Sequence, residues 1–138
     1  MTRPNEYCAY FTLVGEFDPI DVSRRLGLEP TSSWMKGDLN PRTQFERKHS
    51  RWNLDSRLER SASLEQHVAD VLEQLKSCSA PIADLRTTVD GCMQLVGHFF
   101  TDYPGCGLGH ETLSELAQLH LGIDCDFYYL YSDKREDS

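Results

Sequence analysis

Hydrophobic and polar side chains alternate over residues 7–14, and a period of two residues is typical of a β-strand with one buried face. The same reasoning predicts strands over residues 51–56, 92–101 and 123–131. In the last of these, the predicted core face carries Ile123, Cys125, Phe127, Tyr129 and Tyr131. The pattern therefore predicts four strands spread along the whole chain.

A short helix is predicted after the first strand. Asp18 can accept hydrogen bonds as an N-cap, Pro19 suits the first helical position, and Gly27 suits a left-handed C-cap. Residues 31–49 contain few apolar positions and are predicted to form a long loop or a loosely paired hairpin. Residues 82–89 remain ambiguous between strand and helix.

Two capping boxes predict two further helices. Ser63 with Gln66 forms the first box, and Thr112 with Glu115 forms the second. The first box precedes an apolar stripe with helical spacing, which comprises Leu64, Val68, Val71, Leu72 and Leu75. The second predicted helix ends at Gly122.

Strands and helices alternate along the chain, and each has a face that can be buried. This pattern predicts an α+β fold, a two-layer sandwich with helices packed on one face of a largely antiparallel sheet. A chain of 138 residues suits one domain, predicted over residues 1–131, followed by a charged tail over residues 132–138.

Charge is distributed unevenly. The formal net charge is -8, but residues 34–52 carry +3, which leaves -11 on the rest of the chain. An acidic protein is a poor general partner for nucleic acid, because phosphate binding needs a basic face. No apolar run approaches the roughly 18 residues needed to cross a bilayer, and the first residues lack a signal-peptide pattern. We therefore expect a cytoplasmic protein that binds neither nucleic acid nor membrane.

Residues that could carry chemistry do not form a recognisable motif. The cysteines are odd in number and lack a CxxC pair, so we predict reduced, structural thiols at Cys8, Cys78, Cys92, Cys106 and Cys125. The set Cys92, His98, Cys106 and His110 has spacing that matches no compact zinc motif. Asp124 and Asp126 share a strand face but lack an identifiable third ligand. We predict no metal, no cofactor and no catalytic residue.

Several segments occur in a distinctive order. LGLEP at residues 26–30 is followed by WMKGD at residues 34–38, then by the tryptophan of SRWNLDS and the closing segment GHETLSELAQLHLGIDCDFYYLY. In this order they resemble the DUF4279 family, small bacterial proteins of unknown function. The resemblance extends from Tyr7 to Tyr131. It implies one α+β domain and a bacterial source, and it transfers no catalytic residue.

The basic segment between Trp34 and Trp52 is the candidate functional surface. We expect both tryptophans to anchor the core; the alternative places one at the rim of a recognition surface, where Trp and Arg are typical. The candidate binding residues are Trp34, Lys36, Arg42, Arg47, Lys48 and Arg51.

We expect a non-catalytic protein-binding domain. Small bacterial families of this kind include immunity proteins that neutralise toxins, and this analogy makes an immunity protein one specific form of the prediction. Two alternatives stay open. One is a small-molecule-binding domain that uses the basic segment as its pocket wall; the other is an enzyme that uses Asp124, Asp126 or a cysteine. The oligomeric state does not follow from the sequence.

Overall fold

Five strands form one mixed sheet in the computed structural model, which describes residues 3–131. The strands are β1 (Glu6–Gly15), β2 (Ser32–Trp34), β3 (Ser50–Asp55), β4 (Asp90–Phe99) and β5 (Gly122–Tyr129). Their order across the sheet is β2-β3-β1-β4-β5. Every neighbouring pair is antiparallel except β4 and β5, which are parallel. The charged tail predicted for residues 132–138 lies outside the described residues.

Four helices accompany the sheet. They are α1 (Pro19–Leu26), α2 (Leu64–Leu75), α3 (Ser79–Leu85) and α4 (His110–Gln118). α1 begins at Pro19 with Asp18 as its cap, and Gly27 ends it with a left-handed φ of 68°. The predicted capping box of α2 is present, with both hydrogen bonds between Ser63 and Gln66.

The helices share one core with one face of the sheet, which confirms the predicted α+β two-layer fold. The sheet contributes every second residue of its central strands, so Phe11, Trp52 and Leu95 are completely buried. The apolar stripe of α2 packs against them, and Val68 and Val71 are also completely buried. Burying a side chain of this size contributes roughly 1.5–3 kcal/mol of transfer free energy.

Between residues 31 and 89 the structure adds one strand that the sequence did not predict and resolves one segment that the sequence left ambiguous. β2 was not predicted, because it has only three residues and pairs with β3 through a register that places Ser33 beside Trp52. The ambiguous segment 82–89 divides between two structures, since its first residues complete α3 and a turn then leads into β4. Pro81 lies within the first turn of α3, where a missing N–H leaves no intrahelical bond unmade.

The capping box predicted for Thr112 and Glu115 is wrong. α4 begins earlier, at His110, and its N-cap residue Gly109 makes no side-chain capping bond. The Thr112 hydroxyl instead donates to the carboxylate of Glu65 in α2, over 2.8 Å. A residue from another helix therefore takes the place of the predicted local cap.

The face predicted to be buried in β5 is exposed. Along this strand only Phe127 is partly buried, and Ile123, Cys125 and Tyr129 are exposed. The alternation of the strand is present, but β5 lies at the edge of the sheet, where the described helices do not cover it. The opposite face of the sheet carries no helix of residues 3–131, and it presents Tyr10, Arg51, His98 and both aspartates of β5.

Candidate functional site

The segment between β2 and β3 folds as a narrow hairpin that projects from the sheet. We call residues 34–50 the basic hairpin. The Arg47 N–H donates to the Asp38 carbonyl over 2.7 Å, and the Gly37 N–H donates to the Arg47 carbonyl over 2.9 Å. These bonds confirm a hairpin, which was one of the two structures predicted for residues 31–49.

Side-chain and backbone hydrogen bonds close the turns of the basic hairpin. At its base, the Asp38 carboxylate accepts from the Met35 N–H over 2.8 Å, and the Ser50 hydroxyl accepts from the Lys36 N–H over 3.0 Å. At its tip, the Phe45 carbonyl accepts from the Asn40 N–H over 2.8 Å. The segment is therefore ordered by hydrogen bonds and needs no core of its own.

Trp34 does not anchor the core, and this expectation is wrong. The side chain lies on the helix-free face of the sheet, with Arg51 as its register partner in β3. The Arg47 guanidinium carbon lies 3.8 Å from the centre of the indole ring, and that of Arg51 lies 6.0 Å away. Cation–π contacts of this kind contribute about 0.5–1 kcal/mol at exposed sites. Trp52, by contrast, is fully buried as predicted.

The contact with the Trp34 ring explains why one N–H donor of Arg47 has no hydrogen-bond partner. The Nε of Arg47 is buried and has no hydrogen-bond partner among the described residues. An indole face can partly compensate a guanidinium N–H electrostatically, because the ring carries negative charge density above its plane. The contact between Trp34 and Arg47 therefore links the two arms of the basic hairpin near its base.

Large apolar side chains are exposed along the basic hairpin. Phe45 at the tip exposes 76% of its surface, Leu39 exposes 59% and Met35 exposes 44%. An isolated exposed apolar residue is ordinary, whereas several within one ordered hairpin are typical of an interaction surface. Sequence reasoning missed these three residues, because they stand singly among polar neighbours and show no period.

The candidate cations have different surroundings. Lys36 pairs with Glu16 over 2.8 Å, and this hydrogen bond and the nearby positive charge lower the pKa of the Glu16 carboxyl. Arg51 donates to the Thr12 hydroxyl over 3.2 Å. Arg42 and Lys48 are exposed and have no ion pair with any residue of 3–131. Two of the predicted binding residues are therefore available to a partner, and the others also support the hairpin.

A shallow depression lies beside Trp34. It is open to solvent and has a volume of about 280 Å³, and its lining includes Ile20, Ser33, Met35 and Asp38. The depression is contiguous with the apolar surface of the basic hairpin at Met35. It extends that surface toward the first turn of α1.

The structure separates the other groups considered from the sequence. Cys92 and His98 lie on the helix-free face, as the strand period predicts, whereas His110 begins α4 on the other side of the sheet. The Asp126 carboxylate accepts from the Tyr128 hydroxyl over 2.8 Å. Among residues 3–131, no three side chains of His, Cys, Asp or Glu are grouped to hold a metal ion.

These features define a class: a small α+β domain with helices on one face of a mixed sheet and a projecting basic hairpin. The sequence profile of DUF4279, a domain of unknown function, matches residues 5–130, so the chain belongs to that family. This match confirms the resemblance that LGLEP and WMKGD carry in the sequence. No curated protein and no solved structure matches the chain. Within residues 3–131, no helix combines the length and the apolar character that a membrane span requires.

Proposed function

We propose that this protein is a non-catalytic binding protein, which recognises an acidic surface of a partner protein through the basic hairpin. The observation that carries the proposal is the position of Phe45. The Phe45 ring is exposed at the tip of the basic hairpin, and hydrogen bonds within the hairpin hold that tip in place. Ordering such a segment costs conformational entropy, and an exposed aromatic tip is a typical anchor for a pocket in a partner.

The charges around Phe45 describe the partner. Arg42 and Lys48 flank the tip and form no ion pair with the described residues. The partner surface therefore has an apolar pocket for Phe45, surrounded by carboxylates. The net charge of -11 outside residues 34–52 orients the encounter, because the basic hairpin is then the favoured approach for an acidic surface. Toxin neutralisation, as an immunity protein would perform it, stays a prediction within this class.

The test separates anchoring, charge and folding. A pull-down from the cells that make the protein uses the wild type, Phe45→Ser and the double variant Arg42→Glu with Lys48→Glu. Leu113→Ser is the matched control, since Leu113 is also exposed but lies on α4. We expect one protein to be retained by the wild type and the control and lost by both hairpin variants.

Titration with that purified partner then measures the charge contribution. Arg42→Gln with Lys48→Gln is expected to bind with intermediate affinity, and the Glu variant is expected to lose most of the salt dependence of binding. Melting temperatures of the variants should stay close to the wild type, because neither cation has an ion pair within residues 3–131. Full binding by folded hairpin variants would contradict the proposal.

A further inference from the structure

The strand at the opposite edge of the sheet has a free side. Within residues 3–131, β5 pairs with β4 on one side and has no partner strand on the other. The Leu130 N–H donates to the Phe99 carbonyl in β4 over 2.8 Å, and this bond shows which residues face β4. Backbone groups alternate along a strand. The outward-facing N–H and C=O groups therefore belong to Ile123, Cys125, Phe127 and Tyr129.

Apart from its two aspartates, β5 lacks the features that usually protect an edge. Natural edge strands are short, or carry charged side chains, above all lysine, or a proline or a bulge that prevents another strand from pairing. β5 has eight residues, GIDCDFYY, and contains neither lysine nor proline. The other edge strand of the sheet, β2, has only three residues and continues into the basic hairpin. The two edges therefore differ, and only β5 offers a long template for strand addition.

An aromatic cluster supports β5 on the helix-bearing face. The Phe99 ring lies 5.3 Å from Phe127, 5.5 Å from Tyr129 and 5.0 Å from Tyr103. A Cβ atom at Gly97 would lie 2.7 Å from the Phe99 ring, so glycine at this position allows the rings to pack. Tyr129 still exposes 54% of its surface. A strand added beside β5 would find an apolar surface on this face.

The other face of β5 is acidic. Asp124 and Asp126 are exposed there, and the Tyr128 ring stacks on His98 with a centroid distance of 5.0 Å. A second copy of this chain, added antiparallel, would place its own aspartates beside these two. Like charges on neighbouring strands are unfavourable, so the acidic face favours a different occupant.

We propose that the free edge of β5 binds an extended segment of a partner protein by strand addition. The segment carries Lys or Arg at alternate positions, beside Asp124 and Asp126, and apolar residues at the positions between them, beside Ile123 and Tyr129. Main-chain hydrogen bonds supply affinity in this mode of recognition, and alternate side chains supply specificity. This surface lies at the opposite edge of the sheet from the basic hairpin, so the inference is independent of the proposed function.

Amide NMR on the full chain with a defined peptide tests the inference. The probe is a ten-residue peptide in which lysine alternates with valine, with both ends blocked, and the matched control replaces every lysine with glutamate. In the free protein, the amides of Ile123, Cys125, Phe127 and Tyr129 are expected to exchange rapidly with solvent. Adding the lysine peptide is expected to protect these amides and shift their resonances, whereas the glutamate peptide is expected to leave them unchanged.

Variants then separate charge from backbone pairing. The double variant Asp124→Asn with Asp126→Asn is expected to raise the Kd of the lysine peptide by about tenfold. This is the change expected when two weak, exposed ion pairs are lost. Cys125→Pro removes one outward N–H and leaves the β4 ladder intact, so it is expected to abolish protection, whereas Cys125→Ser retains it. If Cys125→Pro does not fold, two modified lysine peptides replace it, one with every valine backbone nitrogen methylated and one with every lysine backbone nitrogen methylated. Only alternate N–H groups of an added strand face β5, so one of the two peptides is expected not to bind.

Four results would overturn the inference. The first is protection of the outward amides in the free protein, since the edge would then already be covered by the chain itself or by a second copy. The second is equal binding of the lysine and glutamate peptides. The third is an absence of resonance shifts in β5 when the lysine peptide is added. The fourth is full binding by folded Cys125→Pro or by both methylated probes.

Discussion

The carboxylate of Glu65 accepts a hydrogen bond from the backbone N–H of Gly109, over 2.6 Å and 44 residues apart in the chain. The same carboxylate accepts from the Thr112 hydroxyl over 2.8 Å. Glu65 in α2 therefore caps α4, and a negative charge at a helix N-terminus is favourable. These two hydrogen bonds lower the pKa of the Glu65 carboxyl. The contact ties the two helices together at one end of the core.

We expect Glu65→Ala to lower the melting temperature and to speed amide exchange in the first turn of α4. The reason is that the Gly109 N–H would lose its partner. Glu115→Ala is the matched control, because Glu115 is exposed and belongs to a capping box that does not form. Equal effects of the two substitutions, by thermal melt and hydrogen exchange, would contradict this role for Glu65.

The two tryptophans are expected to contribute very different amounts to stability. Trp52 is fully buried, donates its indole N–H to the Ser23 hydroxyl over 3.0 Å and lies edge-on to Phe11. Trp52→Ala should therefore cost about 3–5 kcal/mol of unfolding free energy. Trp34 is only half-buried and lies outside the core, so Trp34→Ala removes mainly its contact with Arg47 and should cost about 1 kcal/mol. Urea unfolding of both variants checks this, and a Trp52→Ala loss below about 1 kcal/mol would refute the assignment.

Stability is expected to fall as the pH drops below about 6.5, the ordinary pKa of histidine. Burial lowers the pKa of His67, and the positive charge of Arg60 acts in the same direction, although Asp70 opposes both. The folded protein then keeps His67 neutral at a pH where the unfolded chain binds a proton. The stability that neutral His67 contributes is therefore fully present above the pKa of the unfolded chain and is lost as the pH falls below it.

Urea unfolding between pH 5 and pH 8 measures this dependence. His67→Gln is the matched variant, since an amide can still bond the Ser56 hydroxyl, which lies 2.7 Å from the imidazole Nδ1. The variant should show a flatter pH profile across this window. Asp70 does not interfere, because its hydrogen bonds with Arg57 lower its pKa below the ordinary carboxyl range. A wild-type profile that is flat between pH 5 and pH 7 would contradict the prediction.

The cysteines are expected to react in an order set by exposure. All five are free thiols in the described residues, with Cys106 and Cys125 exposed and Cys78 buried. Burial raises the pKa of each of these three thiols, so the reaction needs alkaline pH. Alkylation at pH 8.5 followed by mass spectrometry should label Cys106 and Cys125 first and Cys78 last. Thiol titration of unfolded, non-reduced protein should find all five free, and a count of one or three would refute the prediction of reduced cysteines.

Periodic patterns predicted the elements whose stabilising contacts are local or repeat along the chain. The stripe of α2 and the box of Ser63 with Gln66 depend on spacings of three and four residues, and both are present. The cap of α4 could not be found this way, because its partner Glu65 is distant in sequence. β2 also carried no pattern, since three residues are too few to show a period.

Exposure was harder to predict than alternation. The period of β5 was predicted, but its burial depends on whether another element covers the edge of the sheet, which a one-dimensional pattern does not encode. Trp34 shows the same limit, because a large aromatic residue is usually buried, whereas here Arg47 covers its ring on the surface. For the candidate site, the charge distribution indicated the basic hairpin. The exposed ring of Phe45 became visible only in three dimensions.

β1 lies at the centre of the sheet, paired with β3 on one side and β4 on the other. Of the five strands, this one leaves the ribosome first, yet its second neighbour in the sheet, β4, ends only at Phe99. Until most of the domain has been made, one edge of β1 therefore has no partner strand. During this time the nascent chain also carries the apolar face formed by Phe11 and Leu13. Unpaired strands that bear apolar side chains are the parts of a folding chain most prone to aggregate. The arrangement of the sheet thus leaves the growing chain open to aggregation for much of its translation.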